Sequence, residues 1–266
     1  MQNIHKSSII EDGAIIGKNV TIAPFCYIGK DVTIGDNTTI GANTLIEGNT
    51  TIGKNNRIFS NVVLGSIPQD LKFKNERVEL IIGDNNIFRE FSFITPGTLD
   101  GGSVTKLRDN NLIMAYVHLG HDVIMGSGCI LSNATNVGGH VEFGDGVIVG
   151  AMSAIHQFVK IGDKAMIAGA SALTQDLPPY CMAEGNRAIL RGLNITGLRR
   201  AFKRDDIDKI KHTYKELFES GKPLKDSANR ILENSDNNYV RNLCNFVIDT
   251  KRGIPYARNG INAKKM

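Results

Sequence analysis

The sequence predicts a mainly β fold, a parallel β-helix of six-residue repeats, followed by a small C-terminal α-helical domain. Three observations carry that expectation. Aliphatic residues recur every six positions from Ile4 through Ile10, Ile16 and Ile22 to Leu64, and again from Ile113 to Leu173, with Ile82, Phe88 and Ile94 bridging the two series. The flanking slots are also selective: the next residue is often Gly (Gly17, Gly29, Gly35, Gly41, Gly53, Gly65), and the fifth is small or β-branched (Val20, Cys26, Val32, Thr38, Thr44). After Leu173 the period stops, and Pro178–Pro179 punctuate the change. A helix needs a period near 3.6 and an ordinary strand a period of 2, so neither explains a period of six.

Each hexad forms one flat side of a prism, and three close one triangular coil. The aliphatic and fifth residues point inward, and Gly is expected to supply turn conformations that strain other residues. Coils should rise by about 4.8 Å, the spacing of neighbouring strands. The general crossover rule on its own predicts right-handed connections. Two stretches interrupt the array, at 65–81 and 95–112, the first placing Asp70 and Glu76 in slots due for aliphatics and the second shifting the phase. Such inserts become loops on one face, often the binding face. The β-helix is expected over 1–186 and the helical domain over 187–266. Within the latter, 204–219 reads as a helix with an acidic first turn, ended near Gly221 and Pro223. Segments 224–233 and 237–250 have helical spacing, and together these helices would cap an open coil end.

Composition narrows the function. With 41% apolar and 22% charged residues the chain is neither disordered nor a membrane protein, and no apolar run approaches the roughly 18 residues of a spanning helix. Aromatics are 6% and Trp is absent, so a base-stacking platform, and with it a nucleic-acid partner, is not expected. The first residues, MQNIHKSSII, lack a signal-peptide core. Four scattered cysteines (Cys26, Cys129, Cys181, Cys244) form no CxxC pair, which suits a reducing cytoplasm. From Asn186 to Lys225 eleven basic residues face five acidic ones, in a chain whose net charge is only +4. That excess points to an acidic partner or to a solvated helix face.

The histidines mark a candidate site. Leu119, Val137 and Ile155 are 18 apart and so lie above one another, with His121, His140 and His156 close behind them in the chain. These three therefore share one outer edge, with His118 pointing outward just before it. Imidazoles so arranged could bind zinc, could be a solvated edge, or could act as a general base. Asp122 can orient His121 only at a corner, because neighbours along a straight strand face opposite sides.

The hexad array, the IPQDLKF loop, Tyr116–Asp122 (YVHLGHD), Gly138-Gly139-His140, Ile155-His156-Gln157-Phe158, and Pro178-Pro179-Tyr180 with Glu184-Gly185-Asn186-Arg187 together resemble the UDP-N-acetylglucosamine acyltransferases of lipid A synthesis. The resemblance covers essentially the whole chain. It implies a left-handed parallel β-helix, against the crossover rule, and a cytoplasmic homotrimer with active sites between subunits. The implied reaction moves an (R)-3-hydroxyacyl group from acyl carrier protein to the 3-position of UDP-N-acetylglucosamine, or of a 3-amino analogue. It implies His121 as general base, Asp122 as its orienting partner and the Gly139 N–H as oxyanion donor. Gln69, Asp70, Lys72, His118, His140, His156, Gln157, Gly169, Arg187, Asn194 and Arg200 would contact sugar, diphosphate or acyl chain. No cofactor and no metal are implied, since the thioester is already activated, and the basic segment acquires acyl carrier protein as its acidic partner.

Three positions qualify the resemblance. Thr196 stands where relatives often carry Glu; Gly169 matches a small residue that leaves the acyl groove long; Arg187 replaces a residue that elsewhere helps end that groove. Two alternatives remain at this point. A later-step N-acyltransferase should carry a substantial extra N-terminal domain, whereas hexads here begin at Ile4. A metal-dependent hexapeptide-repeat hydratase should bind zinc.

Overall fold

The computed structural model describes residues 3–256, which fold as a left-handed parallel β-helix followed by four helices. Its three sides are sheets of eleven, nine and eight strands among the described residues. Registers confirm the coil length: Leu119 pairs with Val137, Val137 with Ile155 and Ile155 with Leu173 on the second side. Inward aliphatics such as Ile28, Ile46, Leu64 and Leu119 are fully buried, as are fifth-slot Val20, Thr38 and Val62. The buried threonines donate to carbonyls of the next coil, Thr38 to Gly53 and Thr44 to Phe59, so a polar atom enters the core without being orphaned. Ile4 is an exception at 36% exposure, because it sits in an inward slot with no coil beneath it.

Glycine does the expected job at some corners, where Gly13, Gly48, Gly65, Gly128 and Gly146 have positive φ, and a second job elsewhere. Most corners take a left-handed residue, and one takes Asn19, Asn37, Asn55, Asn85 and Asn110, then Gly128 and Gly146, all with positive φ. Gly17, Gly35, Gly41 and Gly53 lie outside the left-handed region. They permit close stacking: a Cβ on Gly41 would fall 2.5 Å from Ser60 N, and one on Gly35 2.6 Å from the Gly53 carbonyl.

Both inserts leave the same corner, between the second and third sides, on successive coils. Ile52 pairs with Ile82 thirty residues on, and Ile82 with Leu107 twenty-five residues on. Both are shorter than expected. The strand Glu79–Ile82 ends the first, which therefore does not run to 81, and Val104–Leu107 ends the second, which therefore does not run to 112. Leu107 is fully buried in the inward slot six before Ile113; the insert displaces it from the earlier phase and hides it from a count of hexads.

The division at 186/187 falls in a hairpin. Cys181–Glu184 adds in parallel to Met166–Ile167 and pairs antiparallel with Ile189–Leu193. The helices are α1 (Ile195–Ala201), α2 (Arg204–Phe218), α3 (Leu224–Glu233) and α4 (Asn238–Asp249), of which only α1 is unanticipated. They dock on the last coil. Asn242 Nδ2 donates to Asp163 Oδ2 at 2.8 Å and to the Tyr180 hydroxyl at 3.0 Å. Tyr180 meets Phe202 and Tyr239 edge-on, and the segment after α4 is tied down by Thr250 Oγ1 donating to Asp176.

Candidate active site

The strand His118–Leu119 buries Leu119 and turns His118 outward, and the chain then rounds the corner above the two inserts. Gly120 stacks where a Cβ would be 2.9 Å from Gly139 N. Asp122 takes the left-handed corner conformation (φ 60°), which folds its side chain back behind His121. The corner thus resolves the strand-alternation problem: His121 Nδ1 and Asp122 Oδ2 are 2.7 Å apart.

Asp122 is only 4% exposed, and a buried carboxylate needs donors. Besides His121 it receives the Thr98 N–H on Oδ1 (2.9 Å) and the Thr98 hydroxyl on Oδ2 (2.6 Å). Its own N–H donates to Thr105 Oγ1 at 2.8 Å. Thr98 and Thr105 escape sequence reasoning because their positions depend on how the second insert folds back. The Gly101-Gly102 pair was the available signal, for a Cβ on Gly101 would lie 2.0 Å from Asp122 Cγ.

With Nδ1 donating to Asp122, the His121 Nε2 carries the lone pair. The ring lies against Gly139, where a Cβ would come within 2.8 Å of Nε2, so any larger residue there would displace the imidazole. Among the described residues no group accepts the Gly139 N–H. His140 meets His121 edge-on at 4.9 Å and stacks on Phe158 at 4.3 Å. Burial, helped by the neighbouring His121, holds the His140 imidazole below its ordinary pKa against the pull of Asp122, Asp70 and Asp100. His118 stacks on Phe93 and is likewise lowered by burial.

A pocket of about 300 Å³ is lined by Gln69, Thr95, His118, His121, Asn136 and Gly139. Gln69 reaches it from the first insert. A second space of about 350 Å³ lies between the inserts and is lined by Asp70, Lys72, Phe73, Thr98 and Asp100. Gln157 sits over Gly139 on the next coil, and the exposed His156 has Nδ1 3.3 Å from the Arg252 guanidinium. Four expected residues lie away from this edge within the chain. Gly169 is at the corner between the first and second sides, against Ala151, and Arg187 is in the hairpin turn. Asn194 caps α1, accepting from Gly197 N and donating to Lys164 O, and Arg200 is exposed on α1, as is Thr196.

His121, Asp122 and His140 offer atoms within 4.8 Å of one another, near enough to consider a cation. The carboxylate, however, already receives three hydrogen bonds, and one His121 nitrogen is committed to it. The arrangement orients an imidazole and leaves its Nε2 open beside a free N–H, which is what acyl transfer requires.

Comparison with known proteins gives the class first. Residues 31–66 match the bacterial transferase hexapeptide family (six repeats), and 176–255 match domain 2 of UDP-N-acetylglucosamine O-acyltransferase, so fold and site define a hexapeptide-repeat acyltransferase. A relative from Sulfurimonas denitrificans, an acyl-[acyl-carrier-protein]–UDP-N-acetylglucosamine O-acyltransferase, is 65% identical over 97% of this chain and 99% of its own length. The Aliarcobacter butzleri protein of the same name is 61% identical over 97% of this chain and all of its own. The solved UDP-N-acetylglucosamine acyltransferase of Campylobacter jejuni superposes with a TM-score of 0.93 at 45% identity, covering 96% of this chain and 100% of that one. The chain belongs to the acyl-[acyl-carrier-protein]–UDP-N-acetylglucosamine O-acyltransferase family. Neither the later-step N-acyltransferase nor the hydratase is favoured by these relatives.

Proposed function

We propose that the protein transfers an (R)-3-hydroxyacyl group from acyl carrier protein to the 3-position of UDP-N-acetylglucosamine, the first step of lipid A biosynthesis, or to the 3-amino analogue. His121 Nε2 takes the proton of the attacking hydroxyl or amine as the nucleophile adds to the thioester carbonyl. The Gly139 N–H stabilises the resulting oxyanion. Collapse breaks the C–S bond, and the imidazolium returns its proton to the departing thiolate. Asp122 holds the His121 ring and steadies its positive charge. The single observation that carries this reading is His121, held by Asp122 at 2.7 Å and lying against Gly139, whose N–H is unpartnered among the described residues.

Gln69, Asp70, Lys72, His118, His140, His156 and Gln157 then hold sugar, diphosphate and acyl chain. Gly169, Arg187, Asn194 and Arg200 complete the site from a neighbouring subunit of a homotrimer, or from the top of the same coil stack. Support for that assembly is a stripe of outward apolar residues on the first side, Ile87, Leu112, Ile130, Ile148 and Met166, stacked in register. Arg191, Arg199, Lys203 and Arg204 are exposed beside the hairpin and offer a basic surface to the acidic carrier. The reaction belongs in the cytoplasm, and among the described residues no helix is long and apolar enough to cross a membrane.

The test uses purified protein, UDP-sugars with 3-hydroxyl or 3-amino groups, and competing hydroxyacyl carriers, with products read by mass spectrometry. His121→Ala should lose at least ~10²-fold in turnover. Undiminished turnover by that variant would overturn the assignment, and product masses report chain length and bond type together.

A further inference from the structure

The second insert does more than line a pocket. Its 3-10 turn, Leu99–Gly101, begins at Thr98, a position where a threonine hydroxyl ordinarily accepts from the turn's own N–H groups. Here it makes no such bond, and the hydroxyl is directed to Asp122 Oδ2 at 2.6 Å while the Thr98 N–H serves Oδ1 at 2.9 Å. One residue thus supplies donors to both oxygens of the carboxylate that holds His121. The insert is itself firmly closed: Thr98 O accepts from Gly101 N and Ser103 N, Gly97 N donates to Glu79 O, and Thr95 Oγ1 donates to Leu119 O. At Gly101 a Cβ would fall 2.0 Å from Asp122 Cγ, so only glycine leaves the carboxylate its place.

We infer that Thr98 is a positioning residue of the transfer reaction: by gripping both oxygens of Asp122 it fixes the plane of the carboxylate and, through it, the direction in which His121 Nε2 points. The inference rests on the reading of His121 as general base. The Thr98 hydroxyl and N–H bond to Asp122, so its effect on the His121 ring passes through that carboxylate. A second consequence follows from the pocket between the inserts, which Thr98 shares with Asp70 and Lys72. The wall of that space and the clamp on the dyad are one rigid turn.

The experiment compares Thr98→Val, which keeps shape and N–H but removes the hydroxyl, with Thr98→Ser, which restores it. The expected result is a fall in kcat of about 10–100-fold for Thr98→Val with KM for both substrates within about twofold, and Thr98→Ser within about threefold of the parent. In a His121→Ala background Thr98→Val should cost nothing further, since the two act as one unit. A role confined to stability would lower the folded fraction, read by circular dichroism, and leave turnover per folded molecule unchanged; kcat is therefore normalised to folded protein. Should Thr98→Val not fold, Gly101→Ala keeps Thr98 and pushes the carboxylate aside, and it should show the same loss of kcat. Wild-type kcat in Thr98→Val, an impaired Thr98→Ser, or an additive loss with His121→Ala would each overturn the inference. The low-field proton signal of the His121 Nδ1–H, sharp in wild type and Thr98→Ser and lost in Thr98→Val, tests the clamp without turnover. An inactive wild type would therefore sink the acyltransferase reading while the clamp is still tested.

Discussion

An imidazole whose charged form is disfavoured by burial couples folding to protons. His118 and His140 are both held below the ordinary imidazole pKa, chiefly by desolvation. Between the folded value and the unfolded one of about 6.5, the unfolded chain binds more protons. Their contribution is therefore present above about pH 6.5 and lost as pH falls through it. The urea midpoint should drop between about pH 7.5 and pH 5.5, above the carboxylate range, and the drop should shrink in His118→Gln/His140→Gln. An unchanged slope in that variant would contradict the burial argument. At this scale the histidine edge was legible in the sequence because multiples of one coil length are read by counting. The donors to Asp122 were not: Thr98 is 24 residues from it, across an insert whose path no periodicity describes.

Coil stacking depends on backbone approaching backbone at the glycine positions. Gly41 lies outside the left-handed region, so Ala is compatible with its dihedrals, yet the added methyl would lie 2.5 Å from Ser60 N. Gly41→Ala should destabilise by about 2 kcal/mol or more, read as a lower denaturation midpoint. Asn61→Gly, at a left-handed corner with φ 61°, should stay within about 1 kcal/mol. The opposite ranking would overturn the stacking role of Gly41. Strands on the six-residue spacing and three of the four helices could be read ahead of the structure. α2 declared itself by Asp205 and Asp206 in its first turn and by Gly221 and Pro223 beyond its end. α1 is seven residues long, too short to show an apolar period, and its start depends on Asn194, whose side chain caps it while reaching Lys164 on the coil below. The hairpin was missed because its strands Cys181–Glu184 and Ile189–Leu193 keep no six-residue spacing.

For the whole molecule, the outward stripe from Ile87 to Met166 is the surface whose fate decides assembly. Apolar side chains stacked in one line on a flat sheet face are an interface in waiting. Ile130→Asp/Ile148→Asp should convert the proposed trimer to monomer, read by light scattering on a sizing column, and should abolish transfer if Gly169 and Arg187 act from the neighbour. A trimeric double variant would place the interface elsewhere. This level was the least legible in the sequence, because outward slots carry no period of their own beyond the coil.

The two inserts share one corner, on consecutive coils, and every hydrogen-bonded register above and below them is kept. Extra length there bulges outward without rewinding anything, whereas one residue added within a flat side would turn the later inward rows to face water. The molecule thus separates an invariant spool from an exchangeable bracket. Exchange of 66–78 between relatives should therefore leave the spool wound unchanged, whereas an exchange of 95–103 must keep Thr98 and its grip on Asp122.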